Sequence, residues 1–232
     1  MSKPKIVVLT GAGMSAESGL KTFRDENGLW EGHDVMEVAS PQGFARNPEL
    51  VLEFYNQRRR QLLEVSPNAG HRALTKLEQA FDVSIVTQNV DNLHEKAGSS
   101  HVIHLHGELF KVRSTVDESH VLDWQKDLVL GDTDPNGHQL RPHIVWFGEM
   151  VPMLEVAAEI TQQAEILIVV GTSMQVYPAA SLIHFAPSQI PMYFIDPRPN
   201  IRSSDFEQLT VIPKTAAQGV PNLVEELLNN WP

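Results

Sequence analysis

The segment Lys5-Ile-Val-Val-Leu-Thr10, followed at once by Gly11-Ala-Gly13-Met-Ser15-Ala16, decides how this chain is to be read. Six residues rich in branched apolar side chains, ended by glycine, suit a strand covered on both faces in a parallel sheet. The glycines then fit G-x-G-x-x-G/A, in which a tight turn brings backbone N–H groups up to a diphosphate. By itself the pattern serves strand-to-helix packing as readily as nucleotide binding. A hydride-transfer enzyme would add an acidic residue about 20 positions on, at the end of a second strand, to hold the ribose. Asp25, Glu26 and Glu31 lie instead in a loop-like stretch with no strand before it, which disfavours that class.

Working outward, similar apolar runs recur at Val83–Thr87, Ile166–Val170 and Met192–Ile195, separated by stretches long enough for crossover helices. That alternation predicts an α/β fold built on a doubly wound parallel sheet. Pro48 to Val65 spaces Leu50, Phe54, Arg58 and Leu62 at fours, with Asn47 placed to cap the helix and Pro48 at its first position. Further helices are expected over 68–80, 153–164 and 220–229. The stretch 114–141 lacks periodicity and carries the turn-forming run Gly131 to Gly137, so it reads as an insertion. One α/β body with two excursions, 23–67 and 111–141, is the expected organisation, leaving 1–22, 68–110 and 142–232 for the larger part.

The 232 residues, 42% of them hydrophobic, can bury one substantial core. With 18 basic against 29 acidic residues the net charge is −11, which argues against nucleic acid and anionic membranes as partners. No apolar run approaches the roughly 20 residues needed to cross a bilayer, and no secretory segment is apparent, so a cytoplasmic monomer is expected. The absence of cysteine excludes disulfides, thiol nucleophiles and thiolate zinc sites.

Chemistry concentrates at predicted strand ends, where an open α/β sheet opens its ligand crevice. Gln88, Asn89 and Asp91 follow one strand; Gly171, Thr172 and Ser173 follow another; Asp196 ends a third and is placed to meet a ribose. In Val102-Ile-His104-Leu-His106-Gly107, alternation puts both histidines on one face and Gly107 admits a close approach, suggesting a ligand. A His-x-His pair serves metal binding, interior packing or base catalysis about equally, and no flanking carboxylate decides among them.

Taken in order, Gly11 to Gly19, Thr22-Phe-Arg24, Thr87 to Asp91, His104 to Gly107, Phe147-Gly-Glu149 and Gly171-Thr-Ser173 closely resemble the sirtuin signature set across nearly the whole chain. The resemblance implies a Rossmann-like domain that holds NAD, a small domain made from the two excursions, and an acyl-lysine protein or peptide between them. It implies a reaction in which the acyl oxygen attacks the nicotinamide ribose, nicotinamide leaves, and His106 accepts a ribose hydroxyl proton. The products would be deacylated lysine and O-acyl-ADP-ribose. By the same resemblance Gly11, Ala12, Gly13, Ser15 and Ala16 form the diphosphate loop, Phe23 shields the reactive sugar and Arg24 meets phosphate. Gln88 and Asn89 hold the nicotinamide ribose, with Asn89 counted beside His106 as catalytic, and Asp91 meets the carboxamide. Gly171, Thr172 and Ser173 complete the phosphate and ribose contacts, and Ala216 stands at the adenine position. Val145, Trp146, Phe147 and Gly148 resemble the segment that pairs with the substrate peptide as a strand.

Tyr55 and Arg58, three apart on a predicted helix, resemble the Tyr-x-x-Arg pair of sirtuins that remove succinyl, malonyl or glutaryl groups, since a phenol and a guanidinium suit a distal carboxylate. Read without that context, Arg58-Arg59-Arg60 is a solvated basic run. Ala16 also resembles that subclass, and Asp196 stands where many relatives carry asparagine. The sequence departs from the family at 111–141, where four zinc cysteines are expected and none occurs. His120, His138 and nearby aspartates match no structural-zinc spacing, so no metal is expected, and Val121, Leu122, Trp124, Leu128 and Leu130 are expected to hold the insertion by packing. An NAD glycohydrolase or ADP-ribosyltransferase on the same fold, and a non-catalytic NAD-sensing module, are the competing functions.

Overall fold

The computed structural model describes residues 3–20, 30 and 32–230. Among them six parallel strands form one sheet: β1 (Lys5–Thr10), β2 (Asp82–Thr87), β3 (Val102–His104), β7 (Ile166–Val170), β8 (Met192–Ile195) and β9 (Leu209–Ile212). They lie in the order β3-β2-β1-β7-β8-β9. Because the order reverses between β1 and β7, the connections after these two strands part to opposite sides and open a crevice at their carboxyl ends, the Rossmann-type arrangement.

Alternate residues of the buried runs feed two separate cores. Ile6, Val8, Ile85, Ile168 and Val170 pack against α5 (Ala69–Leu77) and α8 (Ala216–Asn230) through Leu74, Leu77, Val220, Leu223 and Leu227. Val7, Leu9, Val86, Leu167 and Val169 turn the other way, onto α7 (Leu154–Gln162) and the 3-10 helix Ala179–Phe185. Period-two alternation with both faces covered is why these strands read as unbroken apolar runs.

The two excursions build a second body. The first supplies α2 (Val35–Val38), α3 (Pro41–Arg46) and α4 (Pro48–Glu64), the last capped as expected by the Asn47 side chain, which accepts from the Leu50 N–H at 3.2 Å. The second supplies an antiparallel sheet, β5-β4-β6, from β4 (Gly107–Ser114), β5 (Val121–Asp123) and β6 (Leu140–Ile144). That sheet starts and ends a few residues outside 111–141. Val51, Phe54 and Tyr55 of α4 share one core with Leu109, Ile144 and Trp146.

Of the five residues expected to hold the insertion, Leu128 is fully buried in a cluster with Leu52, Val112 and Leu140, against which Leu122 and Trp124 pack. Val121 and Leu130 are exposed and take no part. Polar bonds do more than composition suggests. The Asn56 amide donates to the Leu128 carbonyl (3.0 Å) and accepts from the Leu128 N–H (2.8 Å), closing both backbone groups of one residue. Arg59, wholly buried, donates to the Leu109 carbonyl and to Asn56 Oδ1. Burial lowers its pKa to about 10.

The last helix begins four residues before its expected start. Gly219 falls in this added turn, and a Cβ there would meet Ile195 Cγ2 at 2.6 Å. Pro221, the sixth residue of the helix, lies past the first turn and leaves the Ala217 carbonyl without its i+4 N–H.

Candidate functional site

Every predicted binding segment outside the small body follows the carboxyl end of a parallel strand, so chain direction alone gathers them at one edge. The glycine loop and the Gly171 turn meet there directly. The Gly11 N–H donates to the Val170 carbonyl and the Gly13 N–H to the Gly171 carbonyl. A Cβ on Gly11 would stand 2.7 Å from the Gly171 oxygen, and one on Gly13 2.7 Å from Gly171 Cα. These glycines are fixed by backbone meeting backbone, and within Gly11–Ser15 only Ala12 keeps an N–H with no partner among the described residues. Gly171 (φ +62°) and Met174 (φ 55°) hold the turn that carries Thr172 and Ser173 in the left-handed region.

Ser15, Asn89 and Asp91, read from separate motifs, form one buried triad. Ser15 Oγ donates to Asp91 Oδ2 at 2.8 Å and accepts from Asn89 Nδ2 at 3.1 Å. Burial raises the Asp91 carboxyl's pKa despite bonds from the Leu93 N–H and Ser15. Behind the triad, Thr87 Oγ1 accepts from the Asn89 N–H and from Thr10, which in turn pairs with His94 Nε2 at 3.1 Å. Gln88 reaches Thr172 Oγ1 at 3.4 Å.

The two histidines of His104-Leu-His106 are given opposite protonation by their partners. His104 Nδ1 faces the Asn89 carbonyl (3.0 Å) and Nε2 faces Glu95 Oε1 (2.7 Å), both acceptors, so the ring carries two protons. Burial lowers its pKa, but the Glu95 bond and charge outweigh that and the net shift is upward. His106 Nδ1 donates to the Gln88 carbonyl at 3.0 Å, which leaves Nε2 as a lone pair with no partner among the described residues. Burial lowers its pKa below the free value, against the Gln88 bond. The second ring is therefore the one able to take a proton at neutral pH. Glu95, on α6 (Leu93–Ala97), is the carboxylate that the sequence did not reveal, since it lies outside the motif. Gly107, at φ +82°, has a backbone reason of its own: a Cβ there would stand 2.0 Å from the His143 carbonyl oxygen.

Asp196 sits at the end of β8 with Oδ1 accepting from the Arg198 N–H. Ala216 is the first residue of α8, its side chain buried and its carbonyl beside Gly70. Glu17 holds that helix start, accepting from Thr215 Oγ1 and the Ala217 N–H. Phe23 and Arg24 lie outside the described residues.

In the small body Tyr55 is wholly buried and its oxygen accepts from Trp146 Nε1 at 3.0 Å. Arg58 lies with its guanidinium carbon 3.5 Å from the Phe54 ring centre and 4.6 Å from that of Trp30. Tyr55 meets the same two rings edge-on, so phenol and guanidinium flank one aromatic pair. Burial drives the phenol's pKa well above tyrosine's usual value, opposed by the Trp146 bond and by the charges of Arg58 and Arg141. It stays an un-ionised donor. The segment Val145–Gly148 is a turn after β6, and three of its amides are spent within the chain: Val145 N–H on the His106 carbonyl, Trp146 N–H on Glu149 and Phe147 N–H on the Ala39 carbonyl. Strand pairing with a peptide there would rest on what remains, chiefly carbonyls and the Gly148 amide. Among the described residues no three of His, Asp or Glu gather as a metal site. His138 bonds Asp134, which also accepts from Ser114 and the Asn136 and His138 N–H groups to order the turn-rich run.

Fold and site together define an α/β nucleotide-binding protein with an unprotonated imidazole at its sheet edge. Residues 11–178 match the model of the Sir2 family, and the chain belongs to that family. A Helicobacter pylori NAD-dependent protein deacylase is 61% identical over 193 residues, covering 83% of this chain and 84% of that protein. One from Bacteroides thetaiotaomicron is 51% identical over 229 residues, covering 96% and 97%. A solved Sir2 homologue–NAD complex has a TM-score of 0.87 at 36% identity, covering 98% of this chain and 90% of that one. A Sir2–p53 peptide–NAD+ complex has a TM-score of 0.76 at 27% identity, covering 97% and 93%. The polar groups present fit NAD: a spare amide in the glycine loop, the amides of Gln88 and Asn89, the buried Asp91 carboxyl, and Asp196 at the end of β8.

Proposed function

We infer that this protein is an NAD-dependent protein deacylase and that it favours lysines whose acyl group ends in a carboxylate, succinyl and malonyl, while also removing acetyl groups. The two deacylase relatives and the family membership support the first part. NAD, when bound, supplies an electrophilic ribose carbon with nicotinamide as leaving group, and the products are nicotinamide, deacylated lysine and O-acyl-ADP-ribose. His106 Nε2 takes the ribose hydroxyl proton, while its Nδ1–H is held by Gln88 so that the ring cannot turn. Asn89 is kept in place by Ser15 and holds the ribose. Phe23 and Arg24 serve the sugar face and the phosphate, and Val145–Gly148 meets the peptide. The larger body thus holds the nucleotide and the small one the acyl group.

The acidic preference rests on one observation, the buried Tyr55 phenol whose oxygen already accepts a bond and whose proton has no acceptor among the described residues, with the Arg58 guanidinium packed on the same rings. A carboxylate is an acceptor that this phenol can donate to, and one that a neighbouring guanidinium favours. The test is Arg58→Met, assayed on succinyl-lysine and acetyl-lysine peptides. Losing a hydrogen bond to a charged group should lower succinyl kcat/KM by roughly 10- to 100-fold more than acetyl. Equal loss on both substrates would sink the acidic preference.

A further inference from the structure

We propose that Glu149, Arg141 and Trp146 form a positioning chain that commits the Tyr55 phenol to donating into the acyl pocket, and so help set which acyl groups are accepted. This rests on the acidic-acyl reading above and extends it to three residues outside the Tyr-x-x-Arg pair.

The indole nitrogen of tryptophan can only donate. With Trp146 Nε1 3.0 Å from the Tyr55 oxygen, that oxygen must accept, and the phenolic proton has to be directed elsewhere. A tyrosine left to itself could donate or accept; this one is fixed as a donor, which discriminates in favour of an acid or carbonyl oxygen. Trp146 is itself held on every side. Phe44 packs on it at 5.3 Å between ring centres, and the Arg141 guanidinium carbon stands 3.4 Å from its ring centre. Arg141 is locked by Glu149, donating to Oε1 at 2.6 Å and to Oε2 at 3.1 Å, and by the Ile144 carbonyl at 3.0 Å. Glu149 Oε2 also accepts from the Trp146 backbone N–H at 2.8 Å, so one carboxylate fixes both the backbone of the tryptophan and the cation stacked on its ring. Gly148, at φ +92°, lets the chain fold back far enough for that.

Charge points the same way. Arg113 and Arg141, directly paired across β4 and β6 and both buried, share Glu149, the former at 3.4 Å and with the exposed Glu118 at 3.9 Å as its other acidic partner among the described residues. With Glu118 exposed and screened by water, Glu149 is left to balance two buried guanidiniums, and the positive charge in excess around Trp146 favours an acidic acyl group over a neutral one.

The experiment measures kcat and KM on succinyl- and acetyl-lysine peptides, with saturating NAD, for the unaltered protein and for Trp146→Phe, Glu149→Gln and Tyr55→Phe. Trp146→Phe keeps an aromatic ring and removes the N–H. The succinyl-to-acetyl ratio of kcat/KM should fall roughly 3- to 10-fold, the size of one neutral hydrogen bond, with most of the change in the succinyl KM. Glu149→Gln should lower the ratio in the same direction by a smaller factor, and decides the matter alone should Trp146→Phe fail to fold. If Tyr55→Phe lowers the ratio while neither of the other variants does, the positioning chain is wrong and the acidic-acyl reading stands. A ratio unmoved by Tyr55→Phe as well overturns both.

Discussion

The crevice at the sheet edge and the small body beside it are held by opposite means. At the edge, backbone meets backbone: Gly11 and Gly13 bond Val170 and Gly171 across a gap that admits no Cβ, and the strands that bring them together are adjacent in the sheet. In the small body, side chains reach across long stretches of sequence to close backbone groups, Asn56 to Leu128 and Arg59 to Leu109. The first region is built so that ligands can complete it. The second is fastened by its own side chains, which is how a cysteine-free insertion keeps its shape.

Four changes would break or sharpen that contrast. The largest effect is expected from His106→Ala, which removes the base from the open edge and should cost about 10²- to 10⁴-fold in deacylation rate. Its melting temperature should fall only a few degrees, because the ring makes one bond in the fold, from Nδ1 to the Gln88 carbonyl; a large fall would make the crevice structural too. Asn56→Ala leaves both Leu128 backbone groups and one Arg59 donor without partners, so urea unfolding should show a loss of about 2–4 kcal/mol, for buried groups left unsatisfied. A loss below about 0.5 kcal/mol, the range of an ordinary surface substitution, would remove the clip from the account.

A smaller, pH-dependent effect separates the sheet's own interior from both regions. His71 is fully buried against His94, and burial lowers its folded pKa to about 4, with the Arg72 charge adding to the shift. The unfolded chain, near the free value of about 6.5, therefore binds protons first as pH falls. Stability from this group is complete above pH 6.5 and is drained between 6.5 and 4, with about 2 kcal/mol gone by pH 5. Unfolding of His71→Asn should show a pH slope flatter by that amount. Smallest of all, a chelator should leave both melting temperature and activity unchanged; one zinc per chain, lost together with stability, would contradict the polar clip as the insertion's fastening.

What was legible in the sequence divides along the same line. Thr10-Gly11, Thr87-Gln88 and Val170-Gly171 each join an apolar run to polar or glycine residues within a few positions, and a parallel sheet does the rest by aligning strand ends. Opposite protonation of His104 and His106 could not be read, because it depends on Glu95 and on which carbonyl each ring meets. Arg59 looked like a solvated neighbour of Arg58, yet α4 turns it inward while Arg58 lies over Phe54 and Trp30. The bond from the Trp146 indole to Tyr55 could not be read either, because 91 residues separate the two.

The central claim is tested most directly by mass spectrometry of the products formed from NAD and a succinyl-lysine peptide. The expected result is nicotinamide, free-lysine peptide and O-succinyl-ADP-ribose in equal amounts, with faster turnover than on the acetyl peptide. Free ADP-ribose with the peptide still succinylated would mark a glycohydrolase, and unchanged NAD would mark a binding module; either would contradict the account.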